Sequence, residues 1–266
     1  MDDKHTLFAG RFFLQELISQ SNTAEVYRAV DQQTGLTVAI KRLVQTLPHP
    51  SLQQQFGQEV RILQQLDHPH IVKLIDAGKT ADGQYLVLPY YDGGSLASLL
   101  AREGSFSIER VLKIGIALAD ALRVIHEQHI THGDLKPGNI ILSEMGNPIL
   151  ADFGAAHLDQ GKRFLPRGTV LGTYEYLSPE ACNRDLVDSR TDIWSLGVML
   201  YEMLTGKLPF SHPKVSHLLI AIMMEPPPDI QQLSPDLGDR FADLIYRMLA
   251  KIPISAFQLR SWWSLS

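Results

Sequence analysis

The chain has 266 residues, 45% hydrophobic and 20% charged, with a formal net charge of −5. That is enough chain for one large domain or two lobes with a sizeable core, and the acidic balance, with no basic stretch, argues against nucleic acid as a primary partner. The longest apolar runs, such as Leu218–Met224, are far too short to span a bilayer. The start, Met1-Asp2-Asp3-Lys4-His5, has no apolar signal core, and the one cysteine, Cys182, rules out an internal disulfide. A reducing, cytoplasmic setting is expected.

In chain order, the first ninety residues read as strand-rich. Arg11–Leu17, Glu25–Val30, Thr37–Leu43, Ile71–Ala77 and Gln84–Leu88 are short β-favouring runs, separated by turn formers such as Asp31-Gln32-Gln33-Thr34-Gly35. Among them, Leu52, Phe56, Val60, Leu63 and Leu66 recur at steps of four and three, a helical stripe. From Ser95 onward helices dominate. Ile108, Val111, Leu112, Gly115, Leu118, Ala119, Leu122 and Ile125 describe a long amphipathic helix with Ser107 as its N-cap. Thr191–Leu204 is apolar nearly all round, as a helix buried mid-domain is. Pro226-Pro227-Pro228 breaks the chain before a last helical pair. The expected class is α+β in two lobes: a small β-rich lobe with one helix over about 10–88, a hinge at about 89–94, and a larger, mainly helical lobe over about 95–264. The whole of 1–266 reads as a single domain.

The densest chemistry lies in His132-Gly133-Asp134-Leu135-Lys136-Pro137-Gly138-Asn139, followed by Asp152-Phe153-Gly154. Two carboxylates, an ammonium and an amide on loops suit phosphoryl transfer: a carboxylate to orient a hydroxyl, a cation for the moving group, and oxygen ligands for Mg²⁺. In the strand Thr37–Leu43, Ala39 and Lys41 share a face. A lysine on an inward strand face is costly unless it meets an anion. Glu59, beside Phe56 and Leu63 on the inward stripe of the helix, is the candidate. On these two residues alone, a surface lysine and a surface glutamate is an equal reading; the Asp134 and Asp152 motifs favour the pair.

The order Val38-Ala39-Ile40-Lys41, Glu59, Asp134–Asn139, Asp152-Phe153-Gly154, Ser178-Pro179-Glu180 and Asp192–Gly197 resembles the protein-kinase family, in particular its bacterial serine/threonine members. The resemblance implies a bilobal kinase fold and an ATP-dependent, non-specific serine/threonine protein kinase that uses Mg²⁺, or Mn²⁺ in its place, on protein substrates. Carried over, Lys41 holds the α- and β-phosphates and pairs with Glu59; Asp134 orients the acceptor hydroxyl; Lys136 neutralises the γ-phosphoryl group; Asn139 and Asp152 ligate the metal. Leu88 is the gatekeeper, Pro89 offers a carbonyl and Tyr91 an N–H to adenine, and Val26, Ala39 and Ile141 sandwich the ring. Leu63, Leu74, His132 and Phe153 resemble the family's stacked spine, with Asp192 at its base. Ser95 and Gly138 stand where arginine-directed members commonly carry acidic residues, so no strong preference for basic substrates is expected.

The chain also departs from the family pattern. The phosphate-covering loop, expected as G-x-G-x-x-G-x-V, reads Ser19-Gln20-Ser21-Asn22-Thr23-Ala24-Glu25-Val26 and lacks all three glycines. Ser19, Ser21 and Ala24 are small, so weakened nucleotide binding is expected rather than loss, with strain wherever φ must be positive. Gly133 replaces the arginine that receives an activation-loop phosphate, so activity independent of phosphorylation at Thr169 or Thr173 is expected. Ala256 stands where the family has an arginine that pairs with Glu180, and Arg260 is one turn on. His126, His129 and His132 lack acidic or cysteine ligands around them and read as packing residues rather than a metal site. Two alternatives accompany the kinase reading: a pseudokinase scaffold with weak nucleotide binding, and an aminoglycoside-type small-molecule phosphotransferase. The Lys136-Pro137 pair and the Gly172–Glu180 segment weigh against the latter. Dimerisation is left open.

Overall fold

Strand alternation organises the first half. The computed structural model describes residues 7–21, 23–43, 50–81, 83–158, 174–183 and 187–251. Five strands, β1 (Phe12–Gln20), β2 (Ala24–Asp31), β3 (Thr37–Leu43), β4 (Asp76–Thr80) and β5 (Gly83–Pro89), form an antiparallel sheet in the order β1-β2-β3-β5-β4. In β3, Val38 and Ile40 are buried while Ala39 and Lys41 are half-buried, the period of two of a strand whose faces meet different surroundings. One face carries its own small core of Phe12, Ala29, Val38, Ile40, Tyr85 and Val87. The opposite face carries Val26 beside Lys41, Ala39 beside Leu88 and Lys41 beside Leu86, each a directly paired set.

Helix α1 (Pro50–Leu63) buries Phe56, Glu59, Ile62 and Leu63. The run after it corrects one expectation: of Ile71–Ala77, only Asp76 and Ala77 lie in a strand. Its backbone partners are divided. Ile71 bridges Leu150, Val72 N–H donates to the Leu150 carbonyl at 2.9 Å, and Ile75 N–H donates to the Val87 carbonyl at 2.9 Å. A β-favouring run that bonds two different sheets in succession makes no continuous ladder.

The second half is mainly helical. It comprises α2 (Leu96–Glu103), α3 (Ile108–Glu127), α4 (Pro179–Cys182), α5 (Arg190–Thr205), α6 (Val215–Met224), α7 (Ile230–Leu233) and α8 (Asp239–Met248). Two small antiparallel pairs join them: β6 (Ile130–Thr131) with β9 (His157–Leu158), and β7 (Ile140–Leu142) with β8 (Pro148–Leu150). Ser107 caps α3 as expected, accepting the Arg110 N–H. Helix α5 buries residues on all sides, among them Trp194, Leu196, Val198, Leu200 and Tyr201, and sits inside the large core. After the Pro226–Pro228 break the described residues form α7 and α8; the end of the expected last helix, at Ser261-Trp262-Trp263, lies outside them. The α+β, two-lobed expectation matches this architecture. Thr169, Gly172, Thr173, Ala256, Arg260, Trp262 and Trp263 lie outside the described residues. Among the described residues no helix is long and apolar enough to cross a membrane.

Candidate active site

The inward face of β3 aims Lys41 at the gap between the halves, and the buried stripe of α1 aims Glu59 at the same point. Lys41 Nζ donates to both Glu59 oxygens, at 2.7 and 2.9 Å, and to Asp152 Oδ1 at 2.6 Å. Glu59 is 3% exposed, so an unpaired charge there would be costly; the ammonium answers it. Burial works against the Lys41 charge, but the Asp152 and Glu59 carboxylates outweigh it and raise its pKa. The same ammonium holds Asp152 down to about 2. The Asp152 side chain is about half exposed and opens on the gap. It sits at φ +60°, ψ +73°, left-handed backbone that a non-glycine residue adopts at a cost of about 1–3 kcal/mol.

The second cluster stands on the loop between β6 and β7. Lys136 Nζ donates to Asp134 Oδ2 at 2.7 Å, and Asn139 Nδ2 donates to the same oxygen at 3.0 Å and to the Asp134 carbonyl at 2.7 Å. With its nitrogen so engaged, the Asn139 side-chain oxygen is left to accept or to ligate. The clusters adjoin: the Asn139 carbonyl accepts the Ala151 N–H at 2.9 Å, and the His132 ring meets Phe153 edge to face at 4.9 Å.

Asp192, fully buried at the start of α5, anchors this loop. It accepts the His132 N–H and the Gly133 N–H, each at 2.9 Å, and lies 2.8 Å from His126 Nε2. Burial alone would raise its pKa; His126 and the other donors outweigh that and lower it. His126 is thus a partner of Asp192, and among the described residues no group of three His, Cys, Asp or Glu side chains is placed to hold a metal ion. Gly133 adopts φ +74°, and a Cβ there would lie 3.4 Å from the Ala155 carbonyl. The lost arginine was legible in the sequence; the backbone that favours glycine was not.

The remaining candidates fall on the sheet face and the segment leaving it. Val26, Ala39, Leu88, Pro89, Tyr91 and Ile141 are all half-buried. Leu88, Tyr91 and Ile141 pack against the large core, and the Gly94 carbonyl accepts the Leu142 N–H at 2.8 Å. Gly93 is required there, because a Cβ would meet the Leu142 carbonyl at 2.4 Å. Ser19, Ser21 and Ala24 sit at the exposed end of the β1–β2 hairpin, and none has positive φ. The expected strain from the missing glycines is therefore not present. The sequence reading passed over Glu202, which accepts from Tyr176 Oη at 2.6 Å and lines a cavity of about 400 Å³ with Lys136 and Leu100. Its sequence signal is a second carboxylate, after Asp192, within a mostly apolar helix.

A family model described as "protein kinase domain" matches residues 13–258. The chain is 35% identical, over 98% of its length and 40% of the relative's, to a DNA damage-responsive serine/threonine-protein kinase, RqkA, of Deinococcus radiodurans. It is 30% identical to serine/threonine-protein kinase PrkC of Bacillus subtilis, over 94% of this chain and 39% of that one. It is 32% identical to serine/threonine-protein kinase PknA of Mycobacterium tuberculosis, over 94% and 59%. The chain spans about two fifths of the length of the first two relatives. With the match running through both charge clusters and the sheet above them, the chain belongs to the protein kinase domain family, in its bacterial, eukaryotic-like form.

Proposed function

We propose that the chain transfers the γ-phosphoryl group of ATP to serine or threonine hydroxyls of protein substrates, as a single domain hinged at about 89–94. One observation carries the reading: the Lys41–Glu59–Asp152 cluster and the Asp134–Lys136–Asn139 cluster abut through the Asn139–Ala151 hydrogen bond. Lys41 fixes the α- and β-phosphates, and Glu59 keeps that ammonium in place. Asp134 orients the acceptor hydroxyl and receives its proton, while Lys136 offsets charge on the moving phosphoryl group. Val26, Ala39 and Ile141 enclose the adenine, with Leu88 behind it. The Pro89 carbonyl and the Tyr91 N–H face its polar edge, and Pro89 keeps its carbonyl although it lacks an N–H. Ser19, Ser21 and Ala24 cover the phosphates.

The donor set fits Mg²⁺. One half-exposed carboxylate, Asp152, and one carboxamide oxygen, Asn139, are hard ligands, few enough to leave positions for water and phosphate. When bound, the ion screens the charge of the triphosphate. A cytoplasmic setting, where ATP is abundant, accords with the lone, partly buried Cys182. Gly133 supports activity without loop phosphorylation.

A scaffold that does not transfer phosphate is favoured only by the three missing glycines; the complete set of charged groups weighs against it. Radiolabel transfer from ATP to the chain itself and to casein tests the reading. Asp134→Asn should lower transfer at least about a hundredfold, and equal transfer by both proteins would overturn it.

A further inference from the structure

A side chain closes the tip of the β1–β2 hairpin. Ser21 N–H donates to the Ala24 carbonyl at 2.8 Å, but the reciprocal donor, Ala24 N–H, turns to the Ser21 hydroxyl at 3.0 Å. Thr23 N–H reaches that oxygen too, at 3.3 Å. The hydroxyl lies 3.1 Å from the Ala24 carbonyl, to which it donates, and 3.4 Å from Thr23 Oγ1. One neutral oxygen thus collects two successive backbone N–H groups, the arrangement by which a turn binds an anion. The hairpin is otherwise well held: Gln20 Nε2 donates to Glu25 Oε1 at 3.0 Å, and Arg42 Nε to Glu25 Oε2 at 2.7 Å. The two N–H groups stand just before Val26, whose cross-strand partner is Lys41.

We propose that the Ser21 hydroxyl competes with the nucleotide's phosphates for the Thr23 and Ala24 N–H groups, making Ser21 a determinant of ATP affinity. The proposal rests on the nucleotide reading of the cleft. Glycine at this position has no side chain to reach those donors; here one hydroxyl engages both. A phosphate oxygen, being charged, is the stronger acceptor and displaces the hydroxyl when Ser21 rotates about χ1. The exchange forfeits the internal bonds, so binding is weaker by their worth. The loop therefore lowers affinity by a competing acceptor rather than by strained backbone, in keeping with the absence of positive φ at Ser19, Ser21 and Ala24.

The test is the affinity of the full chain for ATP and for adenosine, by calorimetry. Ser21→Ala removes the competitor and should bind ATP roughly threefold to tenfold more tightly. Adenosine, which has no phosphate, should change by less than about twofold. Ser21→Thr keeps a hydroxyl and should return ATP affinity to the wild-type value. Unchanged or weaker ATP binding by Ser21→Ala, or a parallel shift for adenosine, would overturn the proposal while leaving the cleft a nucleotide site. Failure of the wild type and Ser21→Ala to bind either ligand would instead remove the nucleotide reading, and this proposal with it.

Discussion

The loop that carries Asp134 and the hairpin that carries Ser21 are fixed in opposite ways. The loop bearing Asp134 is pinned by Asp192, a fully buried carboxylate from a distant helix, through the His132 and Gly133 N–H groups. Among the described residues, the hairpin bearing Ser21 is held by residues of its own sheet. A long-range anchor ties the geometry of the chemistry to the stability of the large core. A local cap can be exchanged for a ligand at small cost. The contrast explains how three glycines can be replaced on one side while Asp134, Lys136 and Asn139 are kept on the other.

The largest effect that would break the contrast is loss of the anchor. Asp192→Ala strands the buried His132 N–H, the part-buried Gly133 N–H and the His126 ring, and should cost on the order of 3 kcal/mol of stability, read as a lower denaturant midpoint. Phosphoryl transfer should fall at least about tenfold even where the protein stays folded, since the Asp134 loop is released. A variant with wild-type stability and transfer would show that the loop is fixed otherwise. A smaller effect sharpens the local side. Glycine at 19 and 24 together, with Ser21 kept, should alter the KM for ATP by less than about twofold, because neither residue sits at positive φ. A tenfold gain from that pair would return the argument to strain. The smallest effect is expected for Thr169→Ala. Without an arginine at 133 to receive a phosphate, transfer by this variant should stay within about twofold of wild type; a loss of activity restored by Thr169→Glu would contradict this.

Much of the site was legible in the sequence because its chemistry resides in side chains at fixed spacings. Strand alternation put Lys41 on the inward face, and Glu59 stood out as a carboxylate on an apolar stripe. Other features were not legible, for physical reasons. Ile71–Ala77 has strand composition, but its hydrogen bonds go first to Leu150 and then to Val87, and composition does not record where partners lie. The β6–β9 and β7–β8 pairs are two and three residues per strand, too short for periodicity to register. The Ser21 cap escaped notice because a hydroxyl in a turn reads as ordinary polarity. Glu202 was hidden in a helix read for its apolar residues.

Gly133 bears on how readily this chain could be retrofitted with a phosphate-operated switch. Arginine at that position would restore the missing cation, yet it would occupy a left-handed backbone at a cost of roughly 1–2 kcal/mol. Its first side-chain carbon would meet the Ala155 oxygen at 3.4 Å and the His157 imidazole at 3.7 Å, ordinary contact distances, so the backbone sets the cost. Installing such control thus draws on the stability of the fold through one backbone angle rather than through a steric clash.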